Sequence, residues 1–243
     1  MGSSIIETFD LGKKYKVSRP NQKDGRNRRS KFWHKPSSLL KNEDSWALRG
    51  IDLQVERGDV MAVMGNNGSG KSTLFKLLSE ITDPSEGNFV LRGSISSMLE
   101  VGVGFHLELT GRENIFLNGT LLGMKPTQIN KHFDEIVDFS GVEGYLNVPI
   151  KRYSSGMYLR LAFAVASFLR TDILLVDEVL SVGDKSFREK SIARMKKMAE
   201  EGTTLIIVSH DTTILHELCQ SAIYLEQGKL VGKGKVGDFD NLK

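Results

Sequence analysis

Cysteine is almost missing from this chain. Cys219 stands alone among 243 residues, so no intrachain disulfide can form, and the composition fits a reducing compartment. Also missing is any apolar run of the ~18 residues that a membrane span requires. The best candidate, LRLAFAVASFL, has only 11 residues and contains Arg160. The opening MGSSIIETFD lacks the basic stretch followed by an apolar stretch that marks a secretory leader. No internal repeat and no sustained heptad pattern is present. A role at a membrane must therefore run through a partner.

What is present is the composition of an ordinary globular protein, 40% hydrophobic and 26% charged. The length allows one large α/β domain, or a core domain with a subdomain. The net charge of +3 conceals an asymmetry. Ten basic residues lie between Lys13 and Lys35 with Asp24 as the only acid, so the rest of the chain is net acidic. Such a block is either a solvated loop or a segment drawn to an anionic surface, each basic residue adding roughly 1 kcal/mol near charged headgroups. Nucleic acid would be attracted by the same charge.

Strand-like and helix-like segments alternate, which predicts a largely parallel α/β core. Strands are expected at Ser4–Phe9, Leu48–Val55, Val60–Met64, Asn88–Arg92, Ser94–Leu99, Ile173–Val176 and Thr204–Val208. Helices are expected at about Lys71–Ser79, within Arg112–Ser140, at Gly156–Leu169 and at about Ser186–Glu201. Gln227-Gly228 predicts a hairpin turn near the end of the chain. Residues 17–45 read as a polar, basic insert with a small apolar patch at Phe32, Trp33, Leu39 and Leu40. The helical stretch at about 100–170 interrupts the alternation and is expected to form a subdomain of a single 1–243 domain.

Gly65-Asn66-Asn67-Gly68-Ser69-Gly70-Lys71-Ser72, continued by Thr73, matches G-x-x-x-x-G-K-[ST] in full. Glycines let consecutive backbone N–H groups turn toward phosphate oxygens, and a helix starting at Lys71 adds its positive end. Lys71 is the phosphate-facing cation, and the Ser72 hydroxyl is a candidate Mg²⁺ ligand. Ile173-Leu174-Leu175-Val176 runs into Asp177-Glu178, an apolar strand ending in two acids where open α/β sheets bind ligands. Asp177 is the second candidate for the metal shell, and Glu178 the candidate general base for the attacking water. A third apolar strand ends at Ser209-His210, placing His210 at the same edge.

With Tyr153-Ser154-Ser155-Gly156-Met157 just ahead of a helix, the ensemble resembles the ATP-binding-cassette ATPases. Their signature has the form L-S-G-G-Q, and here three of five positions differ. The resemblance implies an ABC-type P-loop NTPase core with an N-terminal antiparallel β subdomain and a helical subdomain. It implies ATP and Mg²⁺ as cofactors and a head-to-tail homodimer, with Ser154, Ser155 and Gly156 of one chain meeting ATP held by the other. It places Asp184 at a dimer contact, and Tyr15 as the aromatic against adenine with Trp46 as the alternative. Glu100 falls where the family usually has a glutamine that touches Mg²⁺ or its water.

LEVGVGFHLELTGREN, YSSGM and DEVLSVGD together look like one branch, the ATP-binding subunits of O-antigen, capsule and teichoic-acid exporters. That likeness implies a separate transmembrane permease subunit, residence at the cytoplasmic face of the plasma membrane, and a lipid-linked glycan near the basic insert. Some members of the branch carry a C-terminal sugar-binding domain, which is either absent here or lies beyond Lys243. The alternatives are a subunit of another ABC transporter and a soluble ATPase acting on nucleic acid. No nucleic acid is expected, since this chain has one P-loop and no coiled-coil insertion. Gly102-Val103-Gly104 lacks a third glycine and reads as a bend, with Phe105 and Leu107 offering an apolar face to a membrane partner.

Overall fold

The computed structural model describes residues 4–20, 40–98, 102, 104–177 and 184–242. Glu100, Glu178, Phe32, Trp33 and Leu39 lie outside the described residues.

Val60–Met64 (β3), Ile173–Asp177 (β6) and Thr204–Val208 (β7) are short runs of apolar residues with no polar face. A strand of that kind needs cover on both sides, which parallel sheets supply. They lie side by side in a six-stranded sheet of order β5-β6-β7-β3-β8-β9, completed by Ile95–Ser97 (β5), Ser221–Glu226 (β8) and Lys229–Gly234 (β9). Every neighbouring pair is parallel except the β8–β9 hairpin. The two-residue alternation splits the core in two. Val60, Ala62, Leu174, Val176, Leu205 and Ile207 pack on one face. Met61, Val63, Ile173, Leu175, Ile206 and Val208 pack on the other.

The first face is covered by Ser155–Ser167 (α4), Lys185–Glu200 (α5) and Thr212–Leu218 (α6), through Phe163, Met195 and Leu215 among others. The second is covered by Lys71–Leu78 (α1) and a three-stranded antiparallel sheet of order β2-β1-β4. Its strands are Ser4–Pro20 (β1), Leu40–Glu56 (β2) and Glu86–Leu91 (β4). A third cluster joins Gly111–Leu121 (α2), Pro126–Ser140 (α3) and α4 around Ile115, Ile129, Ile136, Leu161 and Val165.

The helices start where short polar residues satisfy their free N–H groups. Thr110 and Glu113 close a reciprocal capping box on α2. Ser154, Asp184 and Asp211 cap α4, α5 and α6. Gly141, in the left-handed region, ends α3.

Three departures from the sequence reading have physical reasons. The first two strands are much longer than expected, because pairing continues out to Pro20↔Leu40. The arms of the expected insert at 17–45 are thus strand, with Val17 opposite Glu43 and Tyr15 opposite Ser45. Alternating Lys14 and Lys16 face solvent on a two-stranded ribbon, and Lys14 Nζ meets Asp44 at 2.8 Å. The strand expected at Ser94–Leu99 is only Ile95–Ser97. Arg112–Ser140 divides into two helices at Gly123, which has a positive φ of 93°.

Asp172 ties the start of β6 to two neighbours. Its carboxylate accepts from Arg57 Nη1 at 2.7 Å, from Ser94 N at 2.8 Å and from Ser94 Oγ at 2.9 Å. The Ser94 amide, with Arg57, holds its pKa below the ordinary 3.8. A depressed carboxylate stabilises the fold above its unfolded value, and that contribution disappears as pH falls through the folded value. Urea melts of the native chain and Asp172→Asn should therefore differ near neutral pH and converge in acid as the pH falls through the folded value. A gap that stayed constant through that range would contradict this role.

Candidate nucleotide site

β6, β7 and β3 end at one edge of the sheet, so their C-terminal residues converge. Asp177 pairs with Val208, two residues before His210, while β3 leads from Met64 into the Gly65 loop. A cavity of about 350 Å³ opens there, lined on one side by Gly65, Asn66, Asn67 and Lys71. On the other side lie Ser209, His210 and Thr212, above a floor that includes Tyr224 and Phe239.

Two glycines of the loop are required by what lies behind them. A Cβ on Gly65 would sit 2.2 Å from Leu225 O, and one on Gly70 would sit 2.7 Å from Ala47 O. Both also have positive φ, 139° and 110°. The loop is thus pinned to β8 on one side and to β2 on the other. The turn of the terminal hairpin completes the support. Gly228 N donates to Ser69 O at 3.0 Å, and Gly228 O accepts from Arg49 N at 2.8 Å. This role of Gln227-Gly228 was invisible in the sequence, which signalled only a hairpin turn.

Lys71 opens α1 and Nζ donates to Gly65 O at 2.7 Å and Asn66 O at 3.0 Å. The ammonium therefore lies folded over the loop's own carbonyls. Ser72 is exposed beside it, Thr73 half-buried, and Asn66, Asn67 and Gly68 are exposed, with Gly68 facing open space. Ser69 is buried, and among the described residues its hydroxyl has no hydrogen-bond partner. The donor set fits a phosphate chain: backbone N–H groups at a helix start, one ammonium, and an open mouth. A hydroxyl from Ser72 and one carboxylate from Asp177 also fit Mg²⁺, which usually takes only one or two protein ligands beside phosphate oxygens and water.

Ser154, Ser155 and Gly156 do not line this cavity. Ser154 Oγ accepts from Met157 N at 3.2 Å, so it is an N-cap whatever else it does. Gly156 has ordinary φ, and the nearest atom to an added Cβ would be Ser154 Oγ at 3.9 Å. Among the described residues, nothing in its own chain demands glycine there. Asp184 is engaged as a cap, accepting from Phe187 N at 2.9 Å and Ser186 Oγ at 2.7 Å. Those bonds, led by the Phe187 amide, hold its carboxyl below the usual range.

Tyr15 and Trp46 sit on opposing strands of the long hairpin, and Ala47 and Leu48 touch the Gly70 position. Trp46 is half-buried, with the Arg49 guanidinium 4.8 Å and Lys14 Nζ 5.7 Å from its ring. Tyr15 is the more exposed ring, with Lys13 Nζ at 5.5 Å.

The segment after β5 differs from expectation at one residue. Phe105 is half-buried and packs edge-on against Tyr158 at 5.2 Å, so its ring does not offer the apolar face expected of it. Leu107 remains exposed. Gly102 has φ 88°, and Tyr158 Oη donates to its carbonyl at 2.7 Å, which fastens the bend to α4. Asn114, fully buried, was not anticipated. Its Nδ2 donates to the carbonyls of His106, Leu109 and Thr110, and its Oδ1 accepts from His106 N at 2.7 Å. A polar residue on the inward side of a helix was the only signal for it.

A phosphate loop after the third strand, with acid and histidine at the two adjacent strand ends, defines a P-loop nucleotide-binding protein of the α/β class. The comparisons narrow this further. The family model described as "ABC transporter" matches residues 48–181, and the chain belongs to that family. It is 43% identical over 189 residues to the O-antigen export system ATP-binding protein RfbB of Myxococcus xanthus, covering 78% of this chain and 43% of that relative. It is 40% identical over 192 residues to the protein of the same name from Klebsiella pneumoniae, covering 79% and 78%. It is 35% identical over 216 residues to the teichoic acids export ATP-binding protein TagH of Bacillus cereus, covering 86% and 39%. The chain thus matches less than half the length of the Myxococcus and Bacillus relatives. Its fold resembles that of the ATP-binding cassette MJ0796, which was solved as a dimer in a post-hydrolysis state with ADP and Pi. That likeness has a TM-score of 0.74 at 22% identity, covering 95% of this chain and 98% of the other.

Proposed function

We propose that this chain is the ATP-hydrolysing subunit of an exporter that moves a lipid-linked polysaccharide, of O-antigen, capsule or teichoic-acid type, across the cytoplasmic membrane. The observation that carries the cargo class is the agreement of two differently named groups of relatives, O-antigen and teichoic acid export proteins, at 35–43% identity. Among the described residues no helix is long and apolar enough to cross a membrane, and the export-system relatives support assigning the path for the glycan to a separate transmembrane subunit. Loss of the chain should leave lipid-linked glycan on the cytosolic side and deplete it from the cell surface. A normal surface glycan in such cells would overturn the cargo assignment.

The chemistry follows from the strand-end geometry. The Gly65–Ser72 loop holds the β- and γ-phosphates, with Lys71 leaving its carbonyl partners for phosphate oxygens. When bound between Ser72 and Asp177, Mg²⁺ supplies charge neutralisation at those oxygens. Glu178 orients and deprotonates the attacking water, and His210 donates toward the γ-phosphate from the neighbouring strand end. Glu100 would be a further oxygen ligand for a bound metal ion. Tyr15 stacks on adenine, its ring being the more exposed of the two and flanked by one cation where Trp46 is flanked by two.

We further propose a head-to-tail dimer, in which Ser154, Ser155 and Gly156 of one chain close on ATP in the other, with Asp184 beside that contact. The open space at Gly156 supports this, because the demand for a bare backbone then comes from outside the chain. Gly156→Ala separates the two roles. It should hold or raise thermal stability, by up to about 1 kcal/mol, as alanine favours a helix. Hydrolysis by the dimer should fall at least ~10-fold, as expected from displaced transition-state contacts. A parallel loss of stability and activity would contradict the assignment.

The surplus of positive charge between Lys13 and Lys35 supports a further proposal, that this segment approaches anionic headgroups or the pyrophosphate of a lipid-linked glycan. Neutralising Arg26, Arg28, Arg29 and Lys31 together should weaken membrane association and export while ATP binding stays intact. Unchanged export would remove that role.

A further inference from the structure

A second, larger cavity lies at the opposite end of the sheet, where β6 and β7 begin. It measures about 740 Å³ and is walled by α3 and by the C-terminal ends of α4 and α5. Its charged groups divide into paired and unpaired sets. Arg57 is bonded to Asp172 at 2.7 Å, and His132 Nδ1 lies 3.2 Å from Glu135. Arg170, Arg194, Lys197 and Glu201 remain, and among the described residues none of these three cations has a carboxylate within ion-pair distance.

Arg194 is the unusual member. It is half-buried, its Nε donates to Ser167 O at 2.9 Å, and its guanidinium lies 4.3 Å over the Phe168 ring. One edge and one face of the group are thereby used, and both Nη nitrogens lack a protein acceptor among the described residues. Burial lowers its pKa, more than the nearby Glu201 and Glu135 raise it. The free Nη donors are not themselves buried, so an anion entering the cavity can meet them. Arginine is the side chain best suited to hold such an anion, through its forked donors. Phe168, Leu169 and Met198 supply apolar wall beside these charges.

We propose that this cavity binds a small polyanion, with Arg194, Arg170 and Lys197 as its cationic contacts. With Arg57 held by Asp172, three cations (Arg170, Arg194 and Lys197) face two carboxylates (Glu201 and the His132-bound Glu135), and a compact anion with several oxygens is the ligand able to span the three cations. The site joins α3 and α4 to α5. Since α4 carries Ser154 and Gly156 at its other end, an anion clamped here fixes that helix against the central sheet.

The test uses the full chain carrying Lys71→Ala, which silences the phosphate loop, titrated calorimetrically with inorganic pyrophosphate and separately with citrate. One saturable site is expected. Pyrophosphate alone would assign a phosphate ligand, and citrate alone a carboxylate one. Adding Arg194→Gln should weaken binding roughly tenfold or more, the usual loss for a charged hydrogen bond. The exposed pair Arg170→Gln with Lys197→Gln should do the same, and decides the matter if the Arg194 variant does not fold. Absence of saturable binding by either anion, or binding unchanged in the variants, would overturn the proposal.

Discussion

Glu178→Gln is expected to bind ATP as the native chain does and to hydrolyse it at least ~10²-fold more slowly, the usual loss when a general base is removed. The reason lies in the neighbouring strand ends. Asp177 closes β6 opposite Val208, and His210 follows two residues later beside the phosphate loop. Glu178 follows Asp177 directly in the sequence and is the residue proposed to meet a water attacking the γ-phosphate. The amide keeps the shape of the carboxylate but cannot take the proton. Bound ATP should persist, so the proposed dimer should accumulate with nucleotide in a gel-filtration or crosslinking assay. Turnover near the native rate would show that another group, His210 first, acts as base.

Lys71→Ala should abolish measurable ATP binding and hydrolysis together. In the present geometry Nζ is held by Gly65 O and Asn66 O, and so it is already positioned over the loop. Among the described residues, Lys71 is the only ammonium lining that cavity, and the substitution removes it. A charge-assisted bond to phosphate contributes roughly 1.5–3 kcal/mol, or about 10- to 100-fold in affinity for each bond lost. The fold should survive, because Leu74, Phe75, Leu77 and Leu78 of α1 remain buried. Equilibrium binding of a fluorescent ATP analogue, with a circular-dichroism melt on the same sample, checks both halves. Retained affinity would mean that the backbone N–H groups alone hold the phosphates.

The buried strands and their polar ends were legible in the sequence because parallel strands covered on both faces have no polar alternation to blur them. Val60–Met64 and Thr204–Val208 were placed to the residue, and Asp177 and His210 end their strands' edge as expected. The long β1–β2 ribbon was not legible. Its outer half exposes Lys14, Lys16 and Asp44 on one side and Tyr15 and Val17 on the other, and without a buried face the period-two signal is lost. α6 was missed for a different reason. It has seven residues, too short for a helical period to emerge, and only Asp211 as its cap marks the start. Contacts between distant segments were out of reach altogether. Gly228 beneath Ser69, Asn114 tying down the His106–Thr110 loop, and Phe105 turned onto Tyr158 depend on which elements the fold brings together.

Gly102 and Gly104 illustrate the middle ground. Their spacing suggested a bend, and both adopt positive φ, 88° and 91°. The sequence did not reveal what fastens the bend. Tyr158 Oη holds the Gly102 carbonyl, so this segment is coupled to α4, whose first turn carries Ser154 and Gly156. A shift of the segment on meeting a membrane partner would thus be felt at the proposed dimer contact.

The central claim is that this ATPase works on a polysaccharide exporter, and purification of the full chain from its native membranes tests it most directly. The account predicts that a multi-spanning membrane protein co-purifies with it in stoichiometric amount, carrying a lipid-linked glycan identifiable by mass spectrometry. Recovery of the chain alone, or with nucleic acid in place of a membrane subunit, would contradict it.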